Sequence, residues 1–328
     1  MSITRRAALL APMLAAPALA AGIARAQTKW QLATAYPDGN YHTRNIREFC
    51  ADIEQATEGK LQVQIHSNAS LLPMQQIKRG VQTGQVQMGE ILLAAYSNED
   101  PFFEADSLPF LVPDLAGARK LGDLQRPYVE ARMGRQGLSL LYMVGWPGAG
   151  FYTQAPINSI EIFKGSRFRT FSPITNRFAA LVGANPVLVQ AAEVAQAFAT
   201  GIATAMVTSA QTGVDTSAWD YAKFFTPAAF SMTKNAVLIS RRALEALPAA
   251  QQEAVKAAAK RAEDRGWTFC AEAEASTQAR LAEKGVTIGT IPPAALADLR
   301  KVGATITEEW VQRTGEDGRK LVDSLRAA

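Results

Sequence analysis

The sequence predicts an α/β protein of two domains, and three observations carry that expectation. Between Lys29 and Ile91, strand-like and helix-like stretches alternate as strand, helix, strand, helix, strand, which indicates a mainly parallel sheet with helices on its faces. The chain has 328 residues, and removing an amino-terminal signal of 26 leaves 302, enough for two domains of ordinary size. A glycine cluster, Gly145-Trp146-Pro147-Gly148-Ala149-Gly150, then interrupts a buried strand and marks a first crossing between domains.

Residues 1–26 read as an export signal: Arg5 and Arg6, a low-charge run from Ala7 to Ile23, and the small-x-small site Ala24-Arg25-Ala26 before Gln27. Thr4-Arg5-Arg6 partly matches a twin-arginine signal, so secretory and twin-arginine export both stay open. Loss of Arg5, Arg6 and Arg25 takes the formal charge from +4 to +1, so the basic pI makes no case for nucleic acid. No later run is long and apolar enough to span a bilayer. Cys50 and Cys270 are the only cysteines, lie far apart in sequence and form no CxxC, so buried free thiols are expected and a zinc or redox centre is not.

After a strand at Lys29–Tyr36 and the turn Pro37-Asp38-Gly39-Asn40 comes a helix at Tyr41–Thr57, with Ile46, Phe49, Cys50 and Ile53 on one stripe and Gly59 as its stop. Leu61, Val63 and Ile65 alternate as a second strand. A short amphipathic helix follows Pro73 and ends at Gly84, before a strand at Val86–Ile91. Phe102–Pro113, apolar with two prolines, reads as an irregular packed segment, followed by a helix near Asp114–Gln125 and a buried strand at Leu138–Trp146. Further strands are expected at Pro186–Val189, Ala203–Thr208 and Asn235–Ser240, with a helix at Ala191–Thr200. Leu247-Pro248 opens a helix to about Ala282, striped by Val255, Ala259, Ala262, Gly266, Phe269 and Ala273. A short strand at Val286–Thr290 and helices after Pro292-Pro293 complete the chain.

The stretch Ser166–Phe178 is the first candidate for binding chemistry. In a strand, Arg167 and Arg169 share one face while Phe168 and Thr170 share the other. Pro173 holds Ser172 out of helix, and Thr175 is expected to cap a helix carrying Phe178, Leu181 and Val182. A guanidinium is always charged, and its planar fork matches the two oxygens of a carboxylate. A solvated charge or a structural ion pair is the competing account of Arg169 from local pattern alone.

Catalytic signatures are missing. The glycine cluster lacks the third glycine of a dinucleotide loop and the Gly-Lys-Ser/Thr of a phosphate loop, and there is no GxSxG elbow, no HExxH and no metal-ligand cluster. His42, at a helix start, is expected to be structural or solvated. Glu90, following Gly89 at a strand end, either accepts a ligand hydroxyl or is solvated. Neither a cofactor nor an enzymatic activity is expected.

Taken in order, the landmarks resemble the DctP-type solute-binding proteins of tripartite ATP-independent periplasmic (TRAP) transporters, across nearly all of the mature chain. They are Glu54, Thr57, Gly59, Lys60, Leu61, Val63 and Ile65; the run from Gln76 through Arg79-Gly80 to Met88-Gly89; Ser107-Leu108-Pro109-Phe110; Phe163 through Arg169; Gly183 through Val187; and Ala197-Phe198-Ala199-Thr200-Gly201. The resemblance implies two α/β domains with a cleft between them, crossing strands and a long helix spanning both, with closure around a ligand for delivery to a membrane permease. It places domain I at 27–147 plus 234–272 and domain II at 148–233 plus 273–328. The family's carboxylate-binding arginine falls on Arg169, and a following asparagine on Asn176.

Some positions depart from the family pattern. A second arginine of sialic-acid-binding members falls near Ala149, and the usual Asp-Gly pair is Thr204-Ala205. A family asparagine appears as Thr208, which can still donate one hydrogen bond. With one cationic anchor, and with Tyr36, Tyr41, Trp146, Phe151, Phe171 and Trp219 as candidate walls, the expected ligand is a monocarboxylate with an apolar or aromatic body, such as a 2-oxo or 2-hydroxy acid. The expected site is therefore Arg169, Asn176, Thr208, Trp146, Phe171, Trp219, Tyr41 and Glu90. A periplasmic monomer is the default for this class. An exported enzyme acting on carboxylates and a sensory binding module are the alternatives.

Overall fold

A computed structural model describes residues 27–327. The export signal read at 1–26 lies outside the described residues. The first sheet has the order β2-β1-β3-β10-β4, built from β1 (Thr28–Ala33), β2 (Leu61–His66), β3 (Met88–Leu92), β4 (Leu138–Gly145) and β10 (Lys234–Ser240). As the alternation predicts, β1 runs parallel to β2 and β3. The late strand β10 enters antiparallel between β3 and β4.

Helices α1 (Tyr41–Ala56) and α2 (Met74–Thr83) join the first three strands. Asn40 caps α1 by accepting from the His42 N–H at 2.8 Å, and Ile46, Phe49, Cys50 and Ile53 are all buried on its inner face. The next helix, α3 (Leu115–Arg135), runs well past the expected end at Gln125 and contains Pro127. Burial of Leu121, Gln125, Val129 and Met133 along one face outweighs the hydrogen bond that the proline cannot make.

The second sheet has the order β11-β9-β5-β8-β6-β7. Its strands are β5 (Ala149–Thr153), β6 (Arg167–Thr170), β7 (Asn185–Leu188), β8 (Ala205–Ser209), β9 (Phe224–Pro227) and β11 (Thr287–Ile288). Helices α4 (Pro173–Leu181), α5 (Val194–Ala199) and α6 (Ala210–Asp215) lie among them, and α5 is preceded by a 3-10 turn at Ala191–Glu193 instead of extending back through it. After β10 come α7 (Arg241–Glu245), the 35-residue α8 (Ala249–Glu283) and α9 (Pro293–Arg326), which kinks where Gly315 takes φ 65°.

Helix α8 packs against α1 and β4 beside the first sheet and against α6 and β11 beside the second. Its small buried residues permit this close approach, with Gly266 seated against Val144 and Asn45. One core gathers Leu32, Phe49, Ile77, Tyr142 and Val237. Another is aromatic, with Phe151, Phe163, Phe168, Phe178 and Phe230, and it also receives Phe102, Leu108 and Leu121 from the chain before the first crossing. Cys50 and Cys270 are buried and free, as expected.

The chain passes between the sheets three times, the last along α8 from β10 to β11, and the first two passages, residues 146–148 and 228–233, lie side by side. Backbone bonds tie these together: Trp146 N–H to Thr233 O at 2.8 Å, Ala149 N–H to Ser231 O at 3.0 Å, and Phe230 N–H to Ala149 O at 2.9 Å. Side chains on the crossings are thereby fixed relative to both sheets.

Candidate functional site: a cleft between the two sheets

A cavity of about 90 Å³ lies where the crossings meet the facing edges of the two sheets. From the second sheet it is lined by Arg169, Phe171, Thr208 and Ala149, and from the first by Tyr36 and Leu92. Trp146, Ser231 and Thr233 line it from the crossings, and Pro73-Met74 at the start of α2 closes one side.

Arg169 is held by β6, with Val187 of β7 and Met206 of β8 beside it in parallel register. The strand alternation puts Phe168 into the aromatic core and Arg169 toward the cleft. Arg167, two residues earlier, is exposed, whereas Arg169 is only 2% exposed. Its Nε donates to Val189 O at 2.8 Å, its guanidinium carbon lies 5.2 Å from the Phe171 ring centroid, and its Nη1 is sealed from solvent with no partner. Among the described residues no acidic side chain pairs with it. Burial pushes its pKa down to about 10, which still leaves it charged at neutral pH. A buried, unpaired guanidinium is costly unless an anion arrives to meet it.

The turn after β6 is locked by side chains. Ser172 is the N-cap of α4 and not, as the sequence suggested, Thr175; the two form a capping box in which Thr175 Oγ1 accepts the N–H groups of Phe171 and Ser172 at 3.0 Å each. Thr175 therefore points inward, Phe171 is oriented beneath Arg169, and Asn176 falls on the exposed face of α4, away from the cavity.

The opposite wall rests on a buried polar chain. Trp146 Nε1 donates to Asn235 Oδ1 at 2.9 Å, and the Tyr36 hydroxyl reaches the same oxygen at 3.4 Å. Asn235 Nδ2 donates to Glu90 Oε1 at 3.0 Å, while Thr34 donates to Glu90 Oε2 at 2.5 Å. His42 Nδ1 lies 3.4 Å from Glu90 Oε1. Glu90 is neither solvated nor a lining residue: it is 1% exposed and anchors the wall from behind. Burial raises its pKa to about 7 against the opposing hydrogen bonds from Thr34 and Asn235. Burial also drives the His42 pKa well down, which keeps the imidazole neutral. Because the polar ends of Tyr36 and Trp146 are tied back into this chain, their rings remain as the cavity surface.

Of the remaining expected residues, Thr208 on β8 lines the cavity with 6% exposure. Tyr41 is buried behind Trp146, their ring centroids 5.6 Å apart, and its hydroxyl donates to Gly145 O at 2.5 Å. Trp219 lies elsewhere, half-buried beneath Lys284 Nζ at 5.7 Å from its centroid. Sequence inspection missed Gln75, Gln190, Glu193, Ser209 and Thr212 in the lining, and it also missed Ser231, Thr233 and, one layer back, Asn235. The signal for the last three was present: polar residues punctuate the apolar run Ala228–Ser240, where a strand buried on both faces would otherwise avoid them. Among the described residues no group of acidic, histidine and cysteine side chains is placed to hold a metal, and no helix is long and apolar enough to cross a membrane.

Residues 32–314 match the profile of bacterial extracellular solute-binding protein family 7, DctP. Among solved structures, the chain is similar to two Bordetella pertussis extracytoplasmic solute receptors that bind pyroglutamic acid. DctP6 is 40% identical, with 92% of this chain and 100% of that chain covered at a TM-score of 0.90. DctP7 is 41% identical, with 91% and 99% covered at 0.89. A TRAP solute-binding protein from a marine metagenome, specific for pyroglutamate, is 32% identical, with 92% and 100% covered at 0.90. The two-sheet architecture, the cleft at the crossings and the extent of these matches together establish that the chain belongs to family 7 of the bacterial extracellular solute-binding proteins, the DctP-type receptors of TRAP transporters.

Proposed function

We propose that this receptor captures a small monocarboxylate of the pyroglutamate kind in the periplasm and presents it to the permease of a TRAP transporter. One observation carries the choice of ligand: Arg169 Nη1 is buried and unpartnered at a cavity whose other surface is mainly ring faces and small apolar side chains. A carboxylate there would take the guanidinium fork, and a compact body would fill the space bounded by Tyr36, Trp146 and Phe171. With Ala149 in the wall, a second carboxylate on the ligand would have no cation to meet. The two Bordetella pertussis receptors, at 40% and 41% identity, bind pyroglutamic acid, which has this charge and size.

The division into domain I (27–147 plus 234–272) and domain II (148–233 plus 273–328) is supported by strand membership, since every strand of the first sheet falls in the former ranges and every strand of the second in the latter. Closure of the two about the crossings would seal the ligand from water. We read the protein as a monomeric receptor, exported by the signal at 1–26, that leaves its ligand chemically unchanged and has no role with nucleic acid.

Thermal unfolding and calorimetric titration of the mature chain test this. Pyroglutamate should raise the unfolding midpoint progressively with concentration, while the neutral lactam pyrrolidin-2-one should not. Stabilisation by neutral sugars or by the lactam, with no response to any carboxylate, would overturn the proposal.

A further inference from the structure

Among the described residues, several buried side-chain polar atoms have no hydrogen-bond partner, but within the cavity lining only two residues carry such atoms: Arg169, at Nη1, and Ser231, at Oγ. The arginine is accounted for by the carboxylate. The serine is not.

Ser231 is 3% exposed and stands on the second crossing, where the backbone has little freedom. Its carbonyl accepts the Ala149 N–H at 3.0 Å, the preceding Phe230 N–H donates to Ala149 O at 2.9 Å, and Thr233 O accepts the Trp146 N–H at 2.8 Å. Three backbone bonds thus position a hydroxyl that itself bonds to nothing. The same lining carries the hydroxyls of Thr208, Ser209, Thr212 and Thr233, yet none of them pairs with Ser231 Oγ. A buried hydroxyl in this state is unfavourable, and buried polar groups in folded proteins are generally satisfied. Because a hydroxyl both donates and accepts, it can serve either a carbonyl oxygen or an N–H of a ligand.

We infer that Ser231 is a second polar anchor of the cleft, hydrogen-bonding a group of the ligand other than its carboxylate, so that the receptor selects acids bearing a ring amide or a hydroxyl over purely hydrocarbon acids. This rests on the assignment of Arg169 as the carboxylate site and adds to it a requirement on the rest of the ligand. A cavity with Arg169 alone would accept any compact acid. With Ser231 unpaired, an acid with a hydrocarbon body would leave the hydroxyl buried and unsatisfied.

The test compares pyroglutamate with cyclopentanecarboxylate, which keeps the five-membered ring and the carboxylate but has no amide. Both are titrated calorimetrically, or by competition, into the wild-type mature chain, Ser231→Ala and Arg169→Lys. Ser231→Ala should weaken pyroglutamate by ~5- to 30-fold, the effect of one neutral hydrogen bond, and change cyclopentanecarboxylate by less than about twofold. Arg169→Lys should weaken both. If pyroglutamate binding depends on Arg169 but is unchanged in Ser231→Ala, or if both acids weaken equally there, the second anchor is refuted and the carboxylate site stands. If the wild type binds neither acid, the carboxylate assignment fails and the second anchor falls with it.

Discussion

Replacing Arg169 with methionine removes the charge and the fork while keeping a side chain of similar length in the wall. In the ligand-free protein the burial that depresses the arginine pKa from 12.5 to about 10 corresponds to ~3 kcal/mol against the charged form. The substitution relieves that cost. It also removes the charged hydrogen bond from Nε to Val189 O, worth ~1.5–3 kcal/mol, and the contact with the Phe171 ring, worth ~0.5–2 kcal/mol. These contributions nearly cancel, so ligand-free stability should stay within ~2 kcal/mol of wild type. Binding behaves differently, because a carboxylate buried without its partner loses ~2–5 kcal/mol, which corresponds to roughly 30- to several-thousand-fold in Kd. Urea unfolding of the free protein gives the first quantity and calorimetry with pyroglutamate the second. A free protein destabilised by well over ~3 kcal/mol, with Kd unchanged, would show that Arg169 is a structural residue and that the electrostatic argument is wrong.

Asn235→Leu should destabilise the fold by ~2–4 kcal/mol in urea unfolding, because Trp146 Nε1, the Tyr36 hydroxyl and Glu90 each lose a buried partner; a near-neutral result would mean that the polar chain does not support the wall. The pKa of Glu90 is raised from its ordinary 4.5 to about 7, so the folded state holds a proton that the unfolded state releases between those values. Its contribution is therefore fully present below pH 4.5 and is lost as pH rises through about 7, a change of ~3 kcal/mol. Glu90→Gln should flatten this segment of the stability–pH curve, and an unaltered slope would locate the titration elsewhere. In α8, a Cβ added at Gly266 would lie 2.4 Å from Val144 Cγ2 and 2.7 Å from Asn45 Nδ2. Gly266→Ala should accordingly cost ~1–3 kcal/mol by overpacking, despite the better helix propensity of alanine, as measured by the shift in urea midpoint.

Much of the fold was legible because it follows local periodicity. The stripe on α1, the alternation in β2, the length of α8 and the glycine and proline boundaries all depend on neighbours within a few residues. Helix α3 ran past its predicted end because Val129 and Met133 pack on a core assembled from distant segments, which local propensity does not report. The N-cap of α4 fell on Ser172 instead of Thr175 because each residue can cap, and only the reciprocal bonds between them decide the order.

For the proposed site, the sequence by itself supplied the candidate anchor: Arg169 at an alternating strand position, followed by a Ser-Pro turn, in a chain whose landmarks match a receptor family. Tertiary structure decided what stands around it. Asn176 and Trp219 are near Arg169 or Thr208 in sequence but face away from the cavity, whereas Ser231 and Thr233 arrive from a second crossing some sixty residues further along. Glu90 and Asn235 meet only because β10 inserts antiparallel beside β3, in a register that pairs Val237 with Glu90 and Asn235 with Leu92. The physical reason is that a cleft between two sheets is made of long-range pairings, and burial is a property of those pairings. Sequence specified that an arginine was available; the fold left it buried with Nη1 unpartnered, which is the ground for the anion site proposed above.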